Sequence, residues 1–263
     1  CIRDSFGTNV GLFFDVFQIF GIENAPRGVQ WELSLDYLSK RGPAIGTTLD
    51  YRIPSILGVP GPVHGYFDAW VIDDRGLDTL GLDRLNLKPE TRTRGRTLLR
   101  HRHYLPGDYE FIAEVGWLSD RNFLEQYLEN EWDRDVDHRT GLRLRKYYHS
   151  HLFDLSAKAQ VNDFFTEDEQ LPQLDHYLLG GSVLADWLTW SAHNKVGYAR
   201  LNVADAPENP AEAAGLSPIP GEANASGVVA STRQELALPL SLGPVRVIPV
   251  SYTHLRAHET SID

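Results

Sequence analysis

Residues 29 to 53, VQWELSLDYLSKRGPAIGTTLDYRI, alternate apolar and polar side chains with a period of two. Val29, Trp31, Leu33, Leu35 and Tyr37 share one face, with Gln30, Glu32, Ser34 and Asp36 on the other. After the basic Gly-Pro turn at Arg41-Gly42-Pro43, Ile45, Leu49, Tyr51 and Ile53 alternate with Gly46, Thr48, Asp50 and Arg52. Two strands in hairpin order follow, each oily on one side and wet on the other. Such a face must be covered, by a second sheet in a sandwich or by lipid around a barrel.

The same period runs along most of the chain. Residues 63–72 set Val63, Phe67, Ala69 and Val71 against His64, Tyr66, Asp68 and Trp70. RGRTLLRHRHY puts Arg96, Leu98, Arg100, Arg102 and Tyr104 on one side, and the turn at Pro106-Gly107-Asp108 leads into YEFIAEVGW. There Tyr109, Phe111, Ala113, Val115 and Trp117 oppose Glu110, Ile112, Glu114 and Gly116, which places an arginine row beside a glutamate row. Further strands read from TGLRLRKYY, HLFDLSAKAQVNDFF, LPQLDHYLLG, DWLTWSAHNKVGYARLNV, GVVASTRQELALPLSL and PVRVIPV. RNFLEQYLENEWDRD is the one helix-like interruption, and 204–226 reads as a long loop. Roughly ten antiparallel strands with alternately short and long connections predict an all-β, up-and-down meander.

Strands of nine to eleven residues, tilted by about 40°, span roughly 23 to 28 Å, close to the apolar band of an outer-membrane barrel. Soluble strands are more often about five or six residues long. Trp31, Tyr37, Tyr109, Trp117 and Tyr198 near strand ends suit an interfacial girdle, although an aromatic-rich sandwich core also accounts for them. The expectation is a partial transmembrane β-barrel over residues 1–250, about ten strands of a larger ring. A soluble or periplasmic sandwich or jellyroll that binds glycan is the alternative, and a carbohydrate-active enzyme on a β scaffold is a third.

A formal net charge of −11 argues against nucleic acid as a partner, because phosphate binding rests on clustered Lys and Arg. No stretch matches a membrane helix or a signal peptide. The chain begins at Cys1, contains no Met and opens on an apolar run, so a leader and upstream domains are expected to be missing. Residues 251–263, SYTHLRAHETSID, break the alternation and are expected to be an artefactual or disordered tail.

The charged rows are the candidate functional residues: Glu32, Asp36, Asp50, Arg52, Arg100, Arg102, Glu110, Glu114, Arg143 and Arg145. Arginine forks suit phosphates and acidic sugars. Arg and Glu rows on one face equally make a salt-bridged, hydrated wall, and this plainer reading is preferred. The pairs His101 with His103 and His149 with His151 place two imidazoles on one strand face, but no third ligand falls in register, so no metal or other cofactor is expected. Glu110 and Glu114 lie about 13 Å apart along a strand, beyond the reach of a glycosidase pair. Asp120, Glu125, Glu129, Glu131, Asp133, Asp135 and Asp137 could hold divalent cations, though such a run is more often a solvated loop. There is no G-x-S-x-G, no phosphate-binding Gly loop and no Cys-x-x-Cys, and no catalytic residue is assigned.

YLSKRGPAIGTTLDYRI, RGRTLLRHRHYLPGDYEFIAEVGWLSDRNFLEQY, LPQLDHYLLG and TRQELALPLSLGPVRVIPV, in this order, resemble the outer-membrane lipopolysaccharide-assembly family, LptD or organic solvent tolerance protein OstA. W-L-S-D-R-N-F at 117–123 is the most specific piece, and the resemblance runs from about Thr8 to Val250. It implies a non-enzymatic transport protein of a Gram-negative-type outer membrane, with a periplasmic domain before a large barrel. It also implies lipopolysaccharide as cargo, an LptE-like plug lipoprotein in the lumen and periplasmic bridge proteins as partners. Lipid would leave through a lateral opening between the first and last strands, and FFDVFQIFG at 13–21 would be the gate-side strand.

Overall fold

A computed structural model describes residues 5–81, 84–134, 138–185, 187–213, 223–243 and 245–262. Cys1 and the acidic positions Asp135 and Asp137 lie outside them. The elements in chain order are β1 (Asn9–Asp15), α1 (Val16–Ile19), β2 (Val29–Leu38), β3 (Gly42–Ile56), β4 (Val59–Asp73), β5 (Asp78–Thr79), β6 (Leu85–Leu87), β7 (Thr93–Leu105) and β8 (Tyr109–Leu118). They continue with α2 (Phe123–Tyr127), α3 (Glu129–Trp132), β9 (Thr140–Tyr148), β10 (His151–Ala159), β11 (Glu167–Val183), β12 (Leu188–Asn202), α4 (Pro210–Ala213), β13 (Ala225–Ala237), β14 (Leu240–Leu242), β15 (Val245–Val247) and β16 (Val250–Ile262).

Twelve of these strands form one antiparallel sheet in the order β1-β2-β3-β4-β7-β8-β9-β10-β11-β12-β13-β16. Apart from the small ribbons β5-β6 and β14-β15, every strand pairs with its neighbour along the chain, so the meander expected from the alternation is present with more strands than the ten anticipated. The sheet is not closed, because β1 and β16 form its two ends.

Register fixes the two faces, since directly opposite residues in a ladder point the same way. One row on the apolar face runs Trp31, Leu49, Phe67, Leu99, Val115, and another runs Phe111, Leu144, Leu155, Leu174, Val196. Along the second row and beside it the side chains are exposed, Leu142 at 56%, Leu155 at 47% and Val196 at 49%, while Leu49, Phe67, Leu99, Phe111 and Val115 are half-buried among their neighbours. Trp31, Tyr37, Tyr109, Trp117 and Tyr198 belong to this face and are also exposed.

The two clusters of packed buried hydrophobics lie on the opposite, polar face at one end, while Val63, at the other end, is also fully buried. Leu38, Ala44 and Ile72 pack with Phe6, Trp70 and Tyr127, and Leu118, Phe123 and Leu124 form an adjoining cluster. The roof over this end is the 119–139 connection with α2, expected as a solvated excursion and found folded against the sheet. Connections at this end, 74–92, 119–139, 160–166 and 203–224, are long, apart from the 39–41 turn. At the other end the turns 57–58, 106–108, 149–150 and 184–187 are short, while 16–28 and 238–249 are longer.

Two segments depart from expectation. FFDVFQIFG is not one strand: β1 ends at Asp15, whose carboxylate accepts from the Gln18 N–H at 3.2 Å and caps α1. Residues 251–262, set aside as a tail, are β16 and pair with β13 from Ala225↔Ile262 to Ala237↔Val250. Backbone N–H and C=O groups on an open edge accept a strand whatever its side-chain pattern, which is how a segment without alternation becomes part of the ladder.

Candidate functional site

All ten charged residues singled out in the sequence occupy the polar face. One row is Gln30, Asp50, Tyr66, Arg100, Glu114, and the next is Arg52, His64, Arg102, Ile112, Arg143. Glu32 pairs in register with Thr48, Asp36 with Ala44, and Glu110 with Arg145. The expected adjacency of Arg and Glu is therefore a matter of register.

Adjacency becomes contact only in part. Glu110, 3% exposed, accepts from Tyr147 Oη at 3.0 Å and meets Arg102 Nε at 3.2 Å and Arg145 Nη1 at 3.4 Å. Arg145 Nε also donates to Asp154 at 2.9 Å, and Arg143 Nε lies 3.3 Å from the same carboxylate. Three guanidiniums thus share two carboxylates. Arg100 and Glu114, opposite each other in the ladder, make no ion pair among the described residues. Arg52 donates to His64 Nδ1 at 3.1 Å. Asp50, Arg52, Arg100 and Glu114 border an open cavity of about 450 Å³ on this face.

The dominant electrostatic feature escaped the sequence reading. Under the roof, Arg41 from the β2–β3 turn and Arg94 from β7 converge on Asp74 and Asp78 of the 74–92 connection. Arg41 Nη1 reaches Asp74 at 3.1 Å and Asp78 at 3.0 Å, and Arg94 Nη1 reaches them at 2.9 and 2.6 Å. Arg94 also grips Asp120 with two parallel bonds, Nε at 2.9 Å and Nη2 at 2.8 Å. Tyr127 Oη donates to Asp74 at 2.7 Å, and both guanidiniums stack within 6 Å of the Tyr127 ring.

Charges buried this deeply are tolerable only when paired. Two arginines face three aspartates, so the cluster carries one carboxylate in excess. Burial pulls Asp74 upward, but the Tyr127 hydroxyl, the Gly76 N–H and the two arginines outweigh it and hold Asp74 below the ordinary range. Burial wins at Asp78, which is raised, and its Oδ2 has no hydrogen-bond partner among the described residues. Burial and the Asp74 carboxylate push the Tyr127 hydroxyl well above the ordinary tyrosine range.

Three members of the acidic run join the same construction, while Glu129 and Asp133 are exposed as expected of a solvated loop. Glu125 accepts from Gly81 N at 2.6 Å and Arg84 at 2.5 Å, and Glu131 accepts both its bonds from Arg96 at 2.7 Å. Asp120 belongs to the W-L-S-D-R-N-F stretch, so the most distinctive sequence piece is the one that fastens the roof. Of the acidic run, Asp120 and Glu125 are buried and Glu131 is half-buried, each paired with an arginine.

The histidine pairs are divided. His101 meets the Tyr51 hydroxyl at 2.6 Å, whereas His103 is buried with its Nε2 unbonded. His149 sits in the β9–β10 turn with φ 50°, and His151 pairs with His176 of β11 at 3.0 Å. Among the described residues no three His, Cys, Asp or Glu side chains converge as a metal centre. No helix is long and apolar enough to cross a membrane, which says nothing of crossing by strands. No protein-family model matches the chain, and no curated protein matches it.

Proposed function

We propose that this chain is part of the wall of an outer-membrane β-barrel that inserts lipopolysaccharide into the outer leaflet, a non-enzymatic transport function. The observation that carries the membrane half is the bare apolar face: rows of Leu, Val, Phe and Trp side chains crossing most of a twelve-stranded sheet with no second sheet described over them. Exposed apolar surface on this scale marks an interaction site, and a sheet with one apolar and one charged face suits a bilayer outside and water inside. A sandwich would need another sheet there, whereas among the described residues the remaining strands make two two-stranded ribbons.

Short turns at one end and longer loops at the other match the periplasmic and extracellular sides of such barrels. On that orientation β1 runs from the loop side inward, opposite to a strand entering from a periplasmic domain. Residues 13–21 are therefore not assigned to the gate. The transport half of the reading rests on the family resemblance of residues 8–250, with the plug lipoprotein and bridge proteins as implied partners.

The test is depletion of the intact protein in the bacterium that makes it, with lipopolysaccharide at the cell surface as the readout. Loss of newly made surface lipopolysaccharide, with its accumulation inside, is expected. Unchanged delivery overturns the transport reading and leaves the barrel reading standing.

A further inference from the structure

Between the roof and the polar face lies a cavity of about 300 Å³ whose lining includes Phe6, Asp36, Trp70, Phe123 and Tyr127. That is the lower end of the range for small-molecule sites, roughly 300 to 1,000 Å³. The rings form one group: Trp70 lies 5.2 Å from Tyr127 and 6.1 Å from Phe123, and Phe6 stacks on Tyr127 at 5.4 Å.

The charges around it do not balance. Asp68 and Arg96 also line the cavity, but they are bonded to each other at 2.8 Å, and Arg96 takes Glu131 as well. Asp36 has no ion pair among the described residues, and its one side-chain hydrogen bond among them comes from Trp70 Nε1 at 3.1 Å. Gly11 stands directly opposite on β1, where a Cβ would come within 2.9 Å of Asp36 Oδ1 and 3.2 Å of the Phe13 ring edge, so β1 places an aromatic edge and no cation beside that oxygen.

We propose that this cavity binds a small organic ammonium ion, its charge against Asp36 and its alkyl groups against Trp70 and the neighbouring rings. Aromatic faces attract a desolvated cation through their quadrupoles, and a carboxylate without a counter-charge adds a directed attraction. A neutral molecule of the same shape would gain the ring contacts but not the charge. The inference does not depend on the transport reading, because the cavity and its charge are the same in any setting.

The test is calorimetric titration of the intact purified protein with choline and with its neutral isostere 3,3-dimethylbutan-1-ol, in which carbon replaces the quaternary nitrogen. Choline is expected to bind more tightly, by about tenfold or more. Asp36→Asn, which keeps an acceptor for the indole N–H, is expected to abolish that preference. The isostere comparison on the unaltered protein stands even if the variant misfolds. Equal binding of the two probes, no binding of either, or an unchanged preference in the Asp36→Asn protein overturns the proposal.

Discussion

Arg94 of β7 holds Asp120, two residues beyond the end of β8, through two parallel bonds of 2.9 and 2.8 Å, with both side chains at most 2% exposed. That fork fastens the 119–139 connection to the sheet, and Ser119 and the Asn122 N–H supply the remaining bonds to the carboxylate. Removing Arg94 leaves three buried carboxylates against Arg41 alone, and a buried charge without compensation costs about 3–5 kcal/mol. Arg94→Ala is expected to destabilise the protein by that amount in denaturant unfolding and to release the roof to protease. Replacing Arg94 and Asp120 together with apolar residues is expected to cost less than the single change.

Acid acts on the same cluster with a definite sign. Asp74 is depressed below its ordinary value of 3.8, so its contribution is complete above that value and is lost as the pH falls through its lower folded value. Asp78 is raised, so its protonation on mild acidification relieves a buried charge and works in the opposite direction. Amide exchange in α2 is therefore expected to stay slow on acidification toward pH 3.8 and to accelerate only below it. Release of α2 at pH 5 to 6 would contradict this assignment.

Asn162 closes a gap in the ladder. Pairing of β8 with β9 stops at Glu114↔Gly141, and beyond it Asn162, 2% exposed, bonds the edge of β8 at Gly116 O (2.7 Å) and Leu118 N (2.9 Å). Asn162→Ala strands both buried backbone groups, at about 1–3 kcal/mol for each. Asn162→Asp keeps the bond from the Leu118 N–H but loses the donor for Gly116 O and buries a carboxylate without a counter-charge, so thermal unfolding at neutral pH should place both variants below the unaltered protein, with Asp no more stable than Ala.

Charge placed on the two faces should have unequal effects. Leu144→Arg puts a guanidinium on the apolar face, where a bilayer midplane position costs about 2–4 kcal/mol. Arg143→Leu, one position along on the polar face, removes one of two guanidiniums at Asp154 and leaves Arg145 in place. Folding into lipid vesicles, followed by denaturant titration, is expected to show the large loss for the first variant and a smaller one for the second.

Alternation made the long strands legible, because each carries one apolar and one charged face and a period of two survives without any tertiary information. The face of Arg100, Glu114 and Arg145 followed from parity alone. Parity says nothing about height or partner, so it missed that Glu110 gathers Arg102 and Arg145 while Arg100 has no ion pair among the described residues. The Arg41, Asp74, Asp78, Arg94 and Asp120 cluster was out of reach for a different reason. Its members sit in turns, connections and a strand end with no common periodicity, and only the register of β2 through β8 brings them together. The signal that pointed nearest was W-L-S-D-R-N-F, conspicuous as a string before its Asp120 had a partner. The capped helix α1 was hidden because Phe13, Phe14, Val16 and Phe17 read as a continuous apolar run unless Asp15 is recognised as a cap.

The central claim is that one face of the sheet meets lipid and the other water. The direct measurement places single cysteines at Glu32, Leu33, Ser34 and Leu35 of the intact protein in an outer membrane, with Cys1 replaced by Ser, and labels each with a fluorophore quenched from within the bilayer. The account predicts quenching at 33 and 35 and none at 32 and 34. Equal exposure to water at all four positions, or equal burial away from the quencher, would contradict it and leave a soluble sheet protein as the better description.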